Sequence, residues 1–221
     1  MKKLGYFLFA ISVIGAVAVA QTNVLSKNAV GYVRVDMPSN GMQFVRMDFD
    51  PLTGSNTVSE VVGDQLAAQS KLYAWDYTNQ TWVTYGKTTK LGWGSASNLV
   101  MTRGQAYFLK SPVATNVFLM GQVPDSTNSY LVPVGEGLNA VGFSFPATTY
   151  WTNTAISKVL DSGDKLYVWD VASGYVIYGK TTKLGWGSAT NLILQPGQGF
   201  FIRKGSVGTT NWSELKPYTW P

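Results

Sequence analysis

A chain of 221 residues that is 45% hydrophobic, 14% aromatic and only 13% charged has the apolar surface to fold and too little charge to stay disordered. Its charged fraction is well below the usual ~25%, and 23 glycines and nine prolines supply frequent turns, which favours short strands over long helices. The chain has no histidine and no cysteine, which excludes disulfides, thiol catalysis and cysteine-ligated metal and removes the commonest general base.

Residues 1–20 read as an export signal. Lys2 and Lys3 form its basic start, 4–17 its apolar core, and Ala18, Val19 and Ala20 a small-residue cleavage site before Gln21. An uncleaved anchor is the competing reading, although an apolar stretch over 4–20 is at the short limit for a bilayer span. A pilin-type leader would follow Gly5 with a glutamate, and Ala10 stands there instead. Removing Lys2 and Lys3 changes 17 basic against 12 acidic residues to 15 against 12. The remaining cations are scattered, unlike a nucleic-acid footprint. The expected product is secreted, extracellular or on the cell surface, with no membrane span after cleavage and no nucleic-acid partner.

From 21 onward the elements come twice. GMQFVRMDF (41–49) reads as a strand covered on both faces, with Phe44, Arg46 and Asp48 on one side and Val45, Met47 and Phe49 on the other. Residues 57–67 place Val58, Val61, Val62 and Leu66 at near-helical spacing. KLYAWD (71–76) and 82–85 read as a hairpin around the polar turn 77–81. The block YGKTTKLGWGSA (85–96) follows, then a turn and strand at GQAYFLK (104–110), and a last strand over 116–123. A turn-rich PDSTN (124–128) marks the boundary.

The second pass repeats this order. GLNAVGFSF (137–145) is a strand, 154–160 a short helix carrying Ile156, Val159 and Leu160, and KLYVWD (165–170) with 175–178 a hairpin. YGKTTKLGWGSA recurs unchanged at 178–189, and GQGFFIR (197–203) closes the match. One residue fewer in the second hairpin turn shifts the repeat offset from 94 to 93. The expectation is therefore a mainly β protein made of two tandem, similar β-sandwich or barrel-like units, each with one short helix: 21–123 and 124–221. They are expected to pack on each other, the alternative being a single domain with one shared core.

The order GLNAVG, GDKLYVWD (163–170), Gly185-Trp186 and PGQGFF (196–201) resembles a module of mostly uncharacterised exported bacterial β-repeat proteins, with a GWN-like strand, a YxWD hairpin and a PGQGFF strand. The resemblance implies secretion and β structure and supplies no catalytic residues. The first repeat departs from it, with Thr102 and Arg103 before its glycine and Ala106 in place of the second glycine.

Three kinds of site are worth weighing. Trp93 and Trp186, each between two glycines, would serve as sugar-stacking platforms if exposed, with Lys87 and Lys90 or Lys180 and Lys183 beside them. The other reading is that each indole plugs its own sheet. Asp76 and Asp170 end strands before turns and fit a structural role, accepting backbone N–H groups. Asp161 with Asp164, and Asp48 with Asp50, lack the fuller spacing of a calcium loop. No phosphate loop, nucleophile elbow or carboxylate pair in an active-site setting stands out, so no catalytic residue, metal or cofactor is expected. The functional expectation is an exported, non-enzymatic structural or assembly protein of the cell surface, a filament or the extracellular matrix. Its partners would be further copies or other envelope proteins. The alternative is a carbohydrate-binding module for a polysaccharide.

Overall fold

Side-chain alternation builds the first half. β1 (Val30–Met37) turns Val33, Val35 and Met37 inward and pairs antiparallel with β6 (Thr115–Gln122), which buries Val117 and Leu119. A four-stranded antiparallel sheet faces them, in the order β2 (Met42–Arg46), β5 (Ala106–Lys110), β3 (Lys71–Asp76), β4 (Thr81–Gly86). Val45, Leu72, Tyr107 and Leu109 from this sheet close the core. The computed structural model describes residues 29–125 and 130–219, so the expected export signal at 1–20 lies outside the described residues.

Helix α1 (Val58–Val62) buries its three valines at one end of this core. Thr57 starts it with a capping box: its N–H donates to Glu60 Oε2 at 2.9 Å, and the Glu60 N–H donates back to Thr57 Oγ1 at 3.3 Å. The helix is shorter than the apolar spacing over 57–67 suggests. Gly63 ends it, a residue of low helix propensity, and Leu66 reaches the core from a turn.

The second half repeats the design. β7 (Tyr130–Val134) pairs with β14 (Thr210–Glu214), and the four-stranded sheet runs β8 (Gly137–Val141), β13 (Phe200–Lys204), β10 (Lys165–Asp170), β11 (Gly174–Gly179). Helix α2 (Ala155–Val159) is capped by Thr154, and β9 (Thr149–Tyr150) with β12 (Ile193–Leu194) adds a short pair. The fold is mainly β with two short helices, and its strand order is the same in both halves. Each half has its own hydrophobic core.

A third apolar cluster joins them, so neither a single shared core nor two independent units describes the chain. Phe44, Ala106 and Phe108 meet Ala140 and Phe201, framed by Tyr73, Trp75, Trp82, Tyr167 and Trp169. The contacts are reciprocal. The Trp75 indole N–H donates to Leu138 O at 2.9 Å, and the equivalent Trp169 donates to Met42 O at 3.2 Å. Val45 bridges Gln198 in antiparallel fashion, and the equivalent Val141 bridges Gln105. The halves are thus related by a pseudo-two-fold axis.

On that axis the symmetry breaks. Arg46 is fully buried, and its equivalent, Gly142, is open enough to receive it: a Cβ there would lie 2.1 Å from Arg46 Cδ. Arg46 Nη2 donates to the carbonyls of Phe145 and Gln195, both at 3.3 Å. Its Nε lies 2.9 Å from Asp48 Oδ1, close enough for charge pairing but off the line of a good hydrogen bond. Asp48 Oδ2 accepts the Gly197 N–H at 2.5 Å.

Burial pushes the Asp48 carboxyl up from 3.8 to about 6, against the pull of Arg46 and the Gly197 N–H. The folded state therefore binds a proton more readily than the unfolded chain, and the stability linked to it is full below pH ~4 and lost as pH rises through ~6. With no histidine in the chain, the usual titration of this window is missing. Unfolding by urea is expected at a higher midpoint at pH 5 than at pH 7.5. Asp48→Asn should flatten that difference, and an unchanged slope in the variant would refute the assignment.

Candidate functional site

The repeated block folds into the same loop in both halves, and nearly all its residue types are explained by how it packs. The Thr88 N–H donates to Gly92 O at 2.7 Å while the Leu91 N–H reaches Thr88 Oγ1 at 3.0 Å; Thr181, Gly185 and Leu184 repeat this at 2.7 and 3.0 Å. Gly92, Gly94, Gly185 and Gly187 have φ between 52° and 56° with nothing near where a Cβ would be, so it is backbone conformation that demands glycine. These two left-handed steps flank the tryptophan, and the core open at the end of the sheet receives its ring.

Trp93 and Trp186 are accordingly 3% and 6% exposed, each in its own core. Trp186 stands edge-on to Trp151 at 4.9 Å and donates its indole N–H to Ser157 O at 2.7 Å. Neither ring offers a face to a ligand, which overturns the reading of these two residues as sugar platforms. Lys87 and Lys180 are also structural. Lys87 Nζ donates to Gly63 O and Leu66 O at 2.5 and 2.6 Å, and Lys180 Nζ to Ser157, Lys158 and Leu160 carbonyls at 3.1, 3.2 and 2.5 Å. Each lysine donates to carbonyls in the last turn of its helix or just beyond it. The structure leaves Lys90 and Lys183 out in solvent, beside Leu91 and Leu184 at the loop tips.

Asp76 Oδ1 accepts the N–H groups of Thr78 and Asn79, both at 2.9 Å, and Asp170 Oδ1 those of Ala172 and Ser173 at 3.1 and 2.8 Å. The Asn79 N–H holds the Asp76 carboxyl below the usual range, and the Ser173 hydroxyl, which donates to Asp170 Oδ1 at 2.7 Å, does most to hold Asp170 there. The other acidic residues weighed for calcium have separate partners. Asp164 accepts the Asp161 and Gly205 N–H groups, Asp48 pairs with Arg46, and Asp50 with Arg103 at 2.8 Å. Among the described residues no cluster of three metal-ligating side chains forms.

What the loop does not offer, the junction of the halves does. A cleft of about 400 Å³ opens there, lined by Trp75, Gln80, Thr81 and Trp82 from the first half and Leu138, Tyr167, Tyr175 and Phe201 from the second. Trp75, Trp82 and Phe201 form a mutual edge-to-face group with ring centroids 5.0 to 5.4 Å apart. No charged side chain lines the space.

No known protein family, characterised protein or solved structure matches this chain. Its chemistry is therefore read from its own surfaces.

The second such surface is a pair of sheet edges. Each four-stranded sheet has one edge closed by the other half, through the Val45–Gln198 and Val141–Gln105 bridges. Its other edge, β4 or β11, pairs with no further strand among the described residues. TWVTYG and GYVIYG contain no charge and no proline, and leave Val83, Val176 and Ile177 exposed. Such edges lack the usual protection against pairing with another chain.

The sequence missed the cleft because Trp75 and Trp169 read as ordinary strand residues. The signal was there in the pattern: Tyr73 and Trp75 share one strand face while Leu72 and Ala74 occupy the other, so the strand is apolar on both sides, and Tyr167, Trp169, Leu166 and Val168 do the same.

The two lysine pairs should separate cleanly in unfolding experiments. Lys87→Met and Lys180→Met each remove charged hydrogen bonds worth about 1.5–3 kcal/mol. Lys90→Ala and Lys183→Ala are expected to stay within ~0.5 kcal/mol of the parent. Equal losses at all four positions in urea titrations would contradict the capping role.

Proposed function

We propose that this chain is an exported, non-enzymatic assembly protein of the bacterial surface or extracellular matrix. The observation that carries the reading is the pair of open, uncharged edges at β4 and β11, one from each half and related by the pseudo-two-fold axis. An edge strand binds a partner through main-chain hydrogen bonds, and its alternate side chains set which partner fits. One edge makes a dimer. Two edges on one rigid body let copies join in series, because pairing at β4 leaves β11 free for the next copy.

The face-to-face packing of the halves supports this reading by fixing both edges on one body. The reciprocal indole bonds and the buried Arg46–Asp48 pair restrict rotation between the sheets. The basic start, apolar core and small-residue cleavage site of residues 1–20 support export, which an assembly role outside the cell requires. The lack of histidine and cysteine supports the non-enzymatic part of the reading.

The test is size-exclusion chromatography with light scattering, followed by negative-stain electron microscopy, on the chain from Gln21 onward. Concentration-dependent oligomers or filaments are expected. Thr84→Lys and Ile177→Lys occupy equivalent exposed edge positions, so together they should abolish growth without moving the thermal midpoint by more than a degree or two. A parent chain that stays monomeric at its highest soluble concentration would sink the proposal.

A further inference from the structure

The aromatic cleft between the halves is left over from the assembly reading, and it has the features of a built binding site. Its walls belong to two sheets held rigidly together, so the geometry exists before any ligand arrives. Trp75 is fixed by its bond to Leu138 O at 2.9 Å. The Gln80 carboxamide spans the junction, accepting the Leu138 N–H at 2.6 Å and donating to Tyr77 O at 2.9 Å and Leu138 O at 3.2 Å. Gly137 allows this, since a Cβ there would lie 2.5 Å from Gln80 Oε1. Preorganisation of this kind lowers the entropic cost of binding.

The cleft exists where the two halves differ. Gln80 lies in the first hairpin turn, which is one residue longer than its counterpart 171–174. Trp82 on β4 and Tyr175, its smaller equivalent on β11, both line the space. Tyr175 remains 38% exposed although it stands edge-on to Trp169 at 5.1 Å, so part of its ring faces solvent rather than protein.

The lining also decides the ligand class. No cation or carboxylate lines the cleft, which argues against phosphorylated, sulfated or uronic ligands. Aromatic walls offer faces for the C–H surfaces of a ring, and the polar groups of Gln80, Thr81, Tyr167 and Tyr175 stand among them. That combination suits a molecule with one apolar face and a hydroxylated perimeter. We propose that the cleft binds pyranose rings of an uncharged polysaccharide. Thr81 and Trp82 of β4 and Tyr175 of β11 line the cleft, so it shares these strands with the open edges but uses their side chains rather than their free backbone groups.

The probes are cellohexaose, maltohexaose and chitohexaose, each titrated into the full chain from Gln21 onward by calorimetry and by tryptophan fluorescence. At least one is expected to bind saturably, to shift the indole emission and to raise the thermal midpoint, because a ligand held by both halves stabilises their junction. Tyr175→Ala and Tyr167→Ala should each weaken binding roughly tenfold or more. Tyr73→Ala is the matched control: it truncates the equivalent of Tyr167 in the same aromatic cluster but does not line the cleft, and it should leave binding unchanged. No saturable binding of any of the three sugars would overturn the proposal. So would equal weakening by Tyr73→Ala, which would mark the effect as packing, or binding of a neutral aromatic dye in the cleft with no competition from the sugars.

Discussion

The contact between the outer faces of the two four-stranded sheets is the constraint on which the rest of the structure depends. A sheet in a two-layer unit ordinarily shows water its outer face, yet here that face carries Phe44, Tyr73, Trp75, Trp82 and Phe108 in one half and Tyr167, Trp169, Tyr175 and Phe201 in the other. Either half alone would expose a large aromatic patch, which single soluble domains rarely do. Each half has its own core, but each needs the other to cover its second face. The indole bonds from Trp75 and Trp169 then turn a non-directional hydrophobic contact into one with a fixed register.

That register also depends on a deliberate mismatch. Two copies of Arg46 on the axis would compete for the same space, and two copies of Gly142 would leave a void. One of each fills it, with the guanidinium reaching carbonyls of the opposite half. The pairing of unlike halves is therefore favoured over the pairing of like ones, as complementary large and small residues favour it in any packed interface. Burying the ion pair is costly in solvation, visible in the direction of both shifts: burial raises Asp48 and lowers Arg46. Its contribution is to specify which surfaces meet.

Much of this was legible in the sequence, and the parts that were not share a physical cause. Duplication located the strands, because an aromatic run that recurs at fixed spacing between turns has few other readings. The hairpin indel fell in the turn, where Asp76 and Asp170 organise loops of different length with the same carboxylate geometry. The helix is shorter than its apolar period because Gly63 ends it while Leu66 continues the period into the core. The tryptophans of the repeated block were harder. Gly-Trp-Gly permits the ring to turn either way, and only the tertiary context, a core open at the end of the sheet, decides that Trp93 and Trp186 turn inward. Arg46 and Asp48 lie on a strand whose pattern reads as covered on both faces, but the groups that cover them are 99 to 149 residues away in the chain, so no local pattern names them.

Packing accounts for the threonine, lysine, glycine, tryptophan and alanine types within the repeated block, but not for Lys90 and Leu91 or for Lys183 and Leu184, which face solvent at the loop tips. Nothing in the fold requires those two positions to match. The conserved framework and the divergent junction thus have opposite characters. Where the halves agree most, in the block, the structure uses the residues to hold each sheet to its helix. Where they disagree, at Arg46 and Gly142, at Trp82 and Tyr175 and at the one-residue difference in hairpin length, the pseudo-symmetry gives way to a filled axis and an open aromatic cleft. A duplicated fold obtains its rigid frame from repetition, and it can place a single asymmetric site only where repetition has been broken.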